Sequence, residues 1–208
     1  MKIKKILFLG AHPDDEFGCS GALSRFREEK KEIYFAVFSF CEESVPPGFP
    51  KDVLKGELKN ALRVIGIESR NIFKFNFPVR NFHQHRQDIL EELIKIRNRV
   101  NPDLVLVPAL SDIHQDHHVV AMEGLRAFKN SSIFGYELPM NTISFQHACF
   151  ISLKEKHIKR KVESLKCYES QGHRPYSNAE FIRGLARVRG VQIGETFAEA
   201  FEVIRLKL

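Results

Sequence analysis

The chain has few cysteines, no long apolar run and no glycine-rich nucleotide turn, and each absence narrows what it does. Its four cysteines, Cys19, Cys41, Cys149 and Cys167, are scattered, with no Cys-x-x-Cys pair. Such spacing excludes a zinc ribbon or a dithiol redox motif and fits reduced, mostly buried thiols in a cytoplasmic protein. No apolar stretch approaches the ~20 residues that span a bilayer. Ile6-Leu7-Phe8-Leu9 is too short for a signal-peptide core and no small-residue cleavage site follows it, so it reads as a buried first strand. The next turn, GAHPDDEFGCSG, lacks Gly-x-Gly-x-x-Gly, which argues against a dinucleotide. Basic and aromatic residues do not alternate as they do in single-strand-binding proteins.

What is present is ordinary in bulk. The 208 residues suffice for one domain, read here as 1–208, and the 43% hydrophobic and 28% charged composition is that of a globular chain. There is no linker, repeat or low-complexity segment. The net charge of +6 raises anionic partners, yet it is dispersed. The densest basic run, Lys154 to Lys166, is interleaved with Glu155 and Glu163 at helical spacing and reads as a solvated helix face. No nucleic-acid partner is expected.

Short apolar runs alternate with amphipathic segments. Strands are predicted at Ile3 to Leu9, Ile33 to Phe40, Ile72 to Phe77 and Leu104 to Val107, then Ile133 to Leu138, Phe145 to Leu153 and Phe201 to Leu206. Between them, Ala22, Leu23 and Phe26 share one helical face. Leu54, Leu58, Ala61, Leu62 and Ile65 share a second that stops at Gly66, and Ile89, Leu93, Ile96 and Val100 a third that stops at Asn101-Pro102. A later helix spans Lys156 to Ser170 with Ile158, Val162 and Leu165 inward. Continuous apolar strands joined by such helices predict a Rossmann-like, doubly wound α/β fold, its mostly parallel sheet covered on both faces.

Two segments concentrate histidine and carboxylate. His12-Pro13-Asp14-Asp15-Glu16 follows the first strand, and Asp112-Ile113-His114-Gln115-Asp116-His117-His118 follows the fourth. In a doubly wound sheet of order 3-2-1-4 those strands are neighbours at the point where the winding reverses, where ligands bind. Two imidazoles and one carboxylate, with one position open, suit a divalent ion such as Zn²⁺. Such an ion lowers the pKa of water to about 7. A spare carboxylate such as Asp14 can act as general base, and a spare imidazole such as His114 can steady an oxyanion and protonate a leaving nitrogen. Asp14 and Asp15 alone would read as helix caps; the pairing of two clusters at two strand ends weighs against that. Spacing alone does not choose between His117 and His118.

At these residues the chain resembles the PIG-L/LmbE-type deacetylases, zinc enzymes that remove acetyl from N-acetylglucosamine moieties. The family's Ala-His-Pro-Asp-Asp-Glu stands as Ala11 to Glu16, and its His-x-Asp-His as His114 to His117. Glu57 to Gly66 resembles its Glu-x-x-x-Ala-x-x-x-x-Gly helix. Lys161 to Gln171 resembles its Lys-x-x-x-x-x-x-Tyr-x-Ser-Gln segment, and Arg189-Gly190, Gly194 and Ala198 to Phe201 its C-terminal signature. One departure is Phe145-Gln146-His147, where the family carries proline in the third place. The resemblance implies His12, Asp15 and His117 as metal ligands, Asp14 as general base, His114 on the oxyanion and Asp116 fixing the His114 ring. It places Arg80, Arg174 and Tyr176 on the substrate side, where arginine suits phosphate or carboxylate. The expectation is a cytoplasmic Zn²⁺-dependent N-deacetylase of a small N-acetyl-amino-sugar conjugate, with a homo-oligomer left open. A metal-dependent hydrolase of a non-sugar amide or ester is the alternative, and a basic, non-catalytic binding protein the third reading. His83, His85, His118 and His147 receive no role.

Overall fold

The computed structural model describes residues 3–207. Seven strands form one sheet: β1 (Lys5–Gly10), β2 (Glu32–Val37), β3 (Ile72–Lys74), β4 (Leu104–Pro108), β5 (Ser132–Tyr136), β6 (Cys149–Leu153) and β7 (Phe197–Arg205). Their order is β3-β2-β1-β4-β5-β7-β6. The first five run parallel, and β7 pairs antiparallel with both β5 and β6. The helices are α1 (Ser20–Glu28), α2 (Val53–Ile65), α3 (Arg86–Val100), α4 (Gln115–Ala127), α5 (Glu155–Leu165) and α6 (Ala179–Val191).

Strand alternation sorts the core into two layers. Along β1, Ile6 and Phe8 face one cluster, with Leu23 of α1, Leu58 of α2, Ile158 of α5 and Ile182 of α6. Leu7 and Leu9 face the other, with Leu93 of α3 and Val120 of α4. A strand apolar at every position is thus the signature of a sheet covered twice. Phe8 sits at its centre, fully buried, stacked 4.7 Å from Phe35 and 4.9 Å from Tyr136.

The C-terminal third departs from the sequence reading at its edges. β7 begins at Phe197, four residues before the predicted Phe201. Glu199, polar in sequence yet buried, disguises the alternation; its carboxylate accepts from Lys161 Nζ (2.6 Å) and from the amides of Gly21 and Ala22 (3.1 and 2.6 Å). α6 has no predicted counterpart, since Gly184 and Gly190 interrupt a weakly apolar stripe. The Asn178 side chain starts it by accepting from the Phe181 amide at 2.8 Å. Gly190 is required where α6 meets β7: a Cβ there would stand 2.6 Å from the carbonyl oxygen of Glu195. β6 is shorter than predicted, beginning at Cys149 rather than Phe145.

Candidate active site

β1 and β4 lie side by side, with β2 and β3 to one side and β5 to the other, so the winding reverses between them. Beyond Gly10 the chain turns through His12 to Asp15 into a short 3-10 helix, Asp15–Gly18. Asp14 occupies the left-handed region at φ 77°. Aspartate tolerates that conformation better than most residues, and strain of this kind clusters at functional sites. Beyond Pro108, His114 caps α4, whose first turn carries Asp116 and His117. The two predicted clusters therefore meet at one crevice, a cavity of about 270 Å³.

The hydrogen bonds fix the imidazoles. His12 Nε2 lies 3.0 Å from Asp116 Oδ2, and His117 Nδ1 lies 2.8 Å from Asp112 Oδ2. Each ring thus gives a proton to a carboxylate, leaving His12 Nδ1 and His117 Nε2 facing each other at 3.2 Å. Two lone pairs so placed repel unless a cation lies between them. Asp15 Oδ1 stands 3.3 Å from His117 Nε2, while its Oδ2 accepts the His12 amide at 2.9 Å. This donor set fits a divalent ion: two imidazoles and a carboxylate converge, with both rings backed by carboxylates in the usual outer-shell manner. His114 also brings a nitrogen to the group, within 4.8 Å of those of His12 and His117.

The local field agrees. Burial alone would lower the His117 pKa, but Asp15 and Asp112 raise it to about 10, so this point favours positive charge. Burial would raise Asp15 and Asp116, yet His117 and His12 hold the first, and His12 with the Arg80 amide the second, below the usual carboxylate range. Asp14 differs. Burial, then Asp15 and Glu16, push it well above that range, although Tyr176 Oη donates to its Oδ2 at 3.1 Å. His114 is pushed down to about 4, by burial first and then by His117 and His12. Its Nδ1 accepts the Asp116 amide at 3.2 Å, so the neutral ring carries its proton on Nε2.

Most residues named from sequence gather here. His12, Asp14, Asp15, His114, His117, Arg80, Arg174 and Tyr176 all line the cavity. Asp116 is adjacent, but its carboxylate holds His12 rather than His114; it meets His114 through its backbone N–H. It also accepts the amides of Arg80 (2.6 Å) and Phe82 (3.4 Å). His117 is buried and His118 exposed, so of the two only His117 turns toward the other residues of the crevice. His83 and His85 lie outside the cavity lining, His85 beside Asp88. His147 packs between Phe145 and Phe150. Sequence reasoning placed Asp112 in the second cluster without a role and missed Asn141. Asn141, in the loop after β5, reaches Asp112 at 3.4 Å and has no local motif to mark it.

A metal-type site of this composition, at the switch point of a doubly wound sheet, belongs to a recognised group. Residues 7–128 match the model of the PIG-L family, GlcNAc-PI de-N-acetylase, and the chain is a member of that family. It is 32% identical over 178 residues to the uncharacterized deacetylase YaiS of Escherichia coli K12, covering 81% of this chain and 92% of that one. In fold it is similar to the N,N'-diacetylchitobiose deacetylase of Pyrococcus horikoshii (TM-score 0.78, 18% identity, 98% and 84% of the two chains covered). It is also similar to GalB, the 4-carboxy-2-hydroxymuconate hydratase of Pseudomonas putida KT2440 (TM-score 0.81, 19% identity, 99% and 98% covered).

Proposed function

We propose that the protein is a cytoplasmic, Zn²⁺-dependent N-deacetylase, acting as one domain over 1–208 and hydrolysing the acetamide of an N-acetylglucosamine-type conjugate to amine and acetate. The observation that carries this reading is the convergence of His12 Nδ1, His117 Nε2 and Asp15 Oδ1 beside an Asp14 carboxylate outside that set. Fold likeness alone would not suffice, because a hydratase shares it.

His12, Asp15 and His117 would hold the ion, which when bound supplies Lewis-acid chemistry, polarising a carbonyl and making water acidic. His114 is the less suited third ligand. Ligation through Nε2 would move its proton to Nδ1, against the Asp116 N–H that Nδ1 now accepts. As a neutral ring with Nε2–H it is instead a donor for the oxyanion that develops on the acetamide oxygen. Asp14 takes a proton from the attacking water as the carbon–oxygen bond forms; burial, then Asp15 and Glu16, make it hold a proton more readily than an ordinary carboxylate. The same proton is then available to the nitrogen as the carbon–nitrogen bond breaks. Tyr176 Oη, donating to Asp14 Oδ2, holds that carboxylate in place. The exposed guanidinium groups of Arg80 and Arg174 suit a substrate carrying phosphate or carboxylate.

The test is zinc content together with acetate release from a panel of N-acetylglucosamine conjugates, before and after chelation. About one zinc per chain, with acetate release lost on chelation and restored by metal, is expected from a single such site. Asp14→Asn should keep its zinc and lose turnover. Metal without acetate from any sugar would transfer the reading to a non-sugar amide or ester; full activity in Asp14→Asn would remove the base role.

A further inference from the structure

Two segments marked in the sequence, Glu57 on α2 and Tyr168-Glu169-Ser170-Gln171 after α5, take no part in the chemistry above. They meet in the structure. Glu57 is buried, and its two carboxylate oxygens accept from the Ser170 amide (2.8 Å) and the Ser170 hydroxyl (2.6 Å). With its proton given to Glu57, the Ser170 hydroxyl oxygen is free to accept, and Gln171 Nε2 donates to it at 3.1 Å. The amide orientation of Gln171 is thereby set, and its Oε1 accepts from Arg174 Nε at 3.3 Å. Donors and acceptors alternate in one direction, from Arg174 through Gln171 and Ser170 to the only charged acceptor of the relay. Gln171 and Arg174 line the cavity; Ser170 and Glu57 do not.

The same segment is tied at its start, where Tyr168 Oη donates to Glu16 Oε1 at 2.7 Å, and at its end, where Tyr176 reaches Asp14. Those two ties run to the turn that carries the acid cluster. Glu57 supplies the tie from outside it, on α2, which is packed into the core through Leu54, Leu58, Ala61, Leu62 and Ile65.

We propose that Glu57 is a positioning residue, which through Ser170 and Gln171 sets the place of Arg174 on the substrate wall and so the affinity of the cleft. This rests on reading that cleft as the substrate site. A carboxylate matters because Ser170 presents two donors to it. Glutamine in its place offers one acceptor oxygen and an amide that must meet the second donor, so the serine hydroxyl has to turn and the relay loses its direction. Alanine leaves both donors unpaired.

The test uses the full chain, zinc-loaded, as Glu57→Ala, Glu57→Gln, Arg174→Ala and the double variants. Hydrogen–deuterium exchange needs no substrate. In Glu57→Ala, peptides covering 168–178 should exchange about ten-fold faster, one hydrogen bond's worth, with the sheet and α3 unchanged. If Glu57→Ala fails to fold, Glu57→Gln takes its place with the same expected pattern. With N-acetylglucosamine 1-phosphate as probe, KM should rise about ten-fold while kcat and zinc content hold, and adding Glu57→Gln to Arg174→Ala should raise KM no further. Unchanged exchange at 168–178, a kcat loss without a KM change, or KM effects that simply add would each overturn the proposal. Wild-type silence toward the probe would count against the deacetylase reading, while the exchange pattern still decides the anchor.

Discussion

Asp112→Asn tests the logic of the site without touching any proposed ligand. The Asp112 carboxylate is buried among three donors: Oδ2 lies 2.8 Å from His117 Nδ1 and 3.4 Å from Asn141 Nδ2, and Oδ1 accepts the His114 amide at 2.8 Å. Asparagine keeps the shape but has a single acceptor oxygen. Turned toward His117, it sets its NH₂ against the His114 amide, two donors face to face at the entrance to α4. Turned the other way, its NH₂ faces His117 Nδ1, which must then accept, and the proton moves to Nε2, the atom that faces His12. The first orientation leaves a buried donor unpaired, at a cost of about 1–3 kcal/mol in stability. The second removes the lone pair that would bind metal. Loss of an outer-shell carboxylate of this kind lowers metal affinity about 10–100-fold, or roughly 1.4–2.7 kcal/mol. Competition with a chromogenic zinc chelator measures the affinity directly, and denaturant unfolding of the apo chain measures the stability. If zinc affinity stays within about two-fold of wild type and the apo chain also loses less than about 1 kcal/mol, neither orientation carries its expected cost and the tautomer argument is refuted.

Other perturbations separate structural from chemical parts. Lys161→Ala strands the Glu199 carboxylate in a buried site where both partners are about 5% exposed, so unfolding stability should fall by about 3–5 kcal/mol; a loss below about 1 kcal/mol would mean that the two helix amides satisfy Glu199 alone. At Arg80, whose φ is 67°, Arg80→Gly should be more stable than Arg80→Ala by about 1 kcal/mol, because only glycine adopts that backbone without strain. Alanine equal to glycine in thermal melts would show that the Asp116 contact does not hold the left-handed turn. Glu28 is held down to about 2, by Lys156 first and then His157, from an ordinary 4.5. A carboxylate with a depressed folded pKa stabilises above its unfolded value and loses that contribution as pH falls through the folded one. Melting curves of wild type and Glu28→Gln should therefore differ most above pH 4.5 and converge toward pH 2.

How much of this was legible in the sequence depends on where each bond partner lies in the chain. β1, β2 and β4 carry near-continuous apolar runs because both faces are covered, and the first three strand-helix units could be read directly. The crevice followed from two clusters placed after two strands that the winding makes neighbours. What escaped are elements whose polar residues are buried by remote pairing. Glu199 reads as a break in a strand until Lys161 is brought to it, and α6 carries two glycines and an arginine-rich face that mute its stripe. The same limit applied inside the site. The Asp116 side chain was expected on its neighbour His114, two positions away, yet its carboxylate turns to His12, 104 positions away, and to two amides of the loop before α3.

His117 shows the rule at one residue. Sequence spacing left it level with His118, since both follow the His-x-Asp pattern within the first turn of one helix. The helix separates them by about 100°, so only one can face the sheet's switch point while the other faces solvent. The residue that faces inward is the one whose Nδ1 finds Asp112 and whose Nε2 finds Asp15 and His12. Composition supplied the candidate ligand types, strand order supplied the place, and helical phase turns His117 rather than His118 inward. The first two can be read from residue patterns alone; the third came from the sequence only through the family resemblance, and its physical basis is the start of α4, which His114 sets by accepting the Asp116 amide.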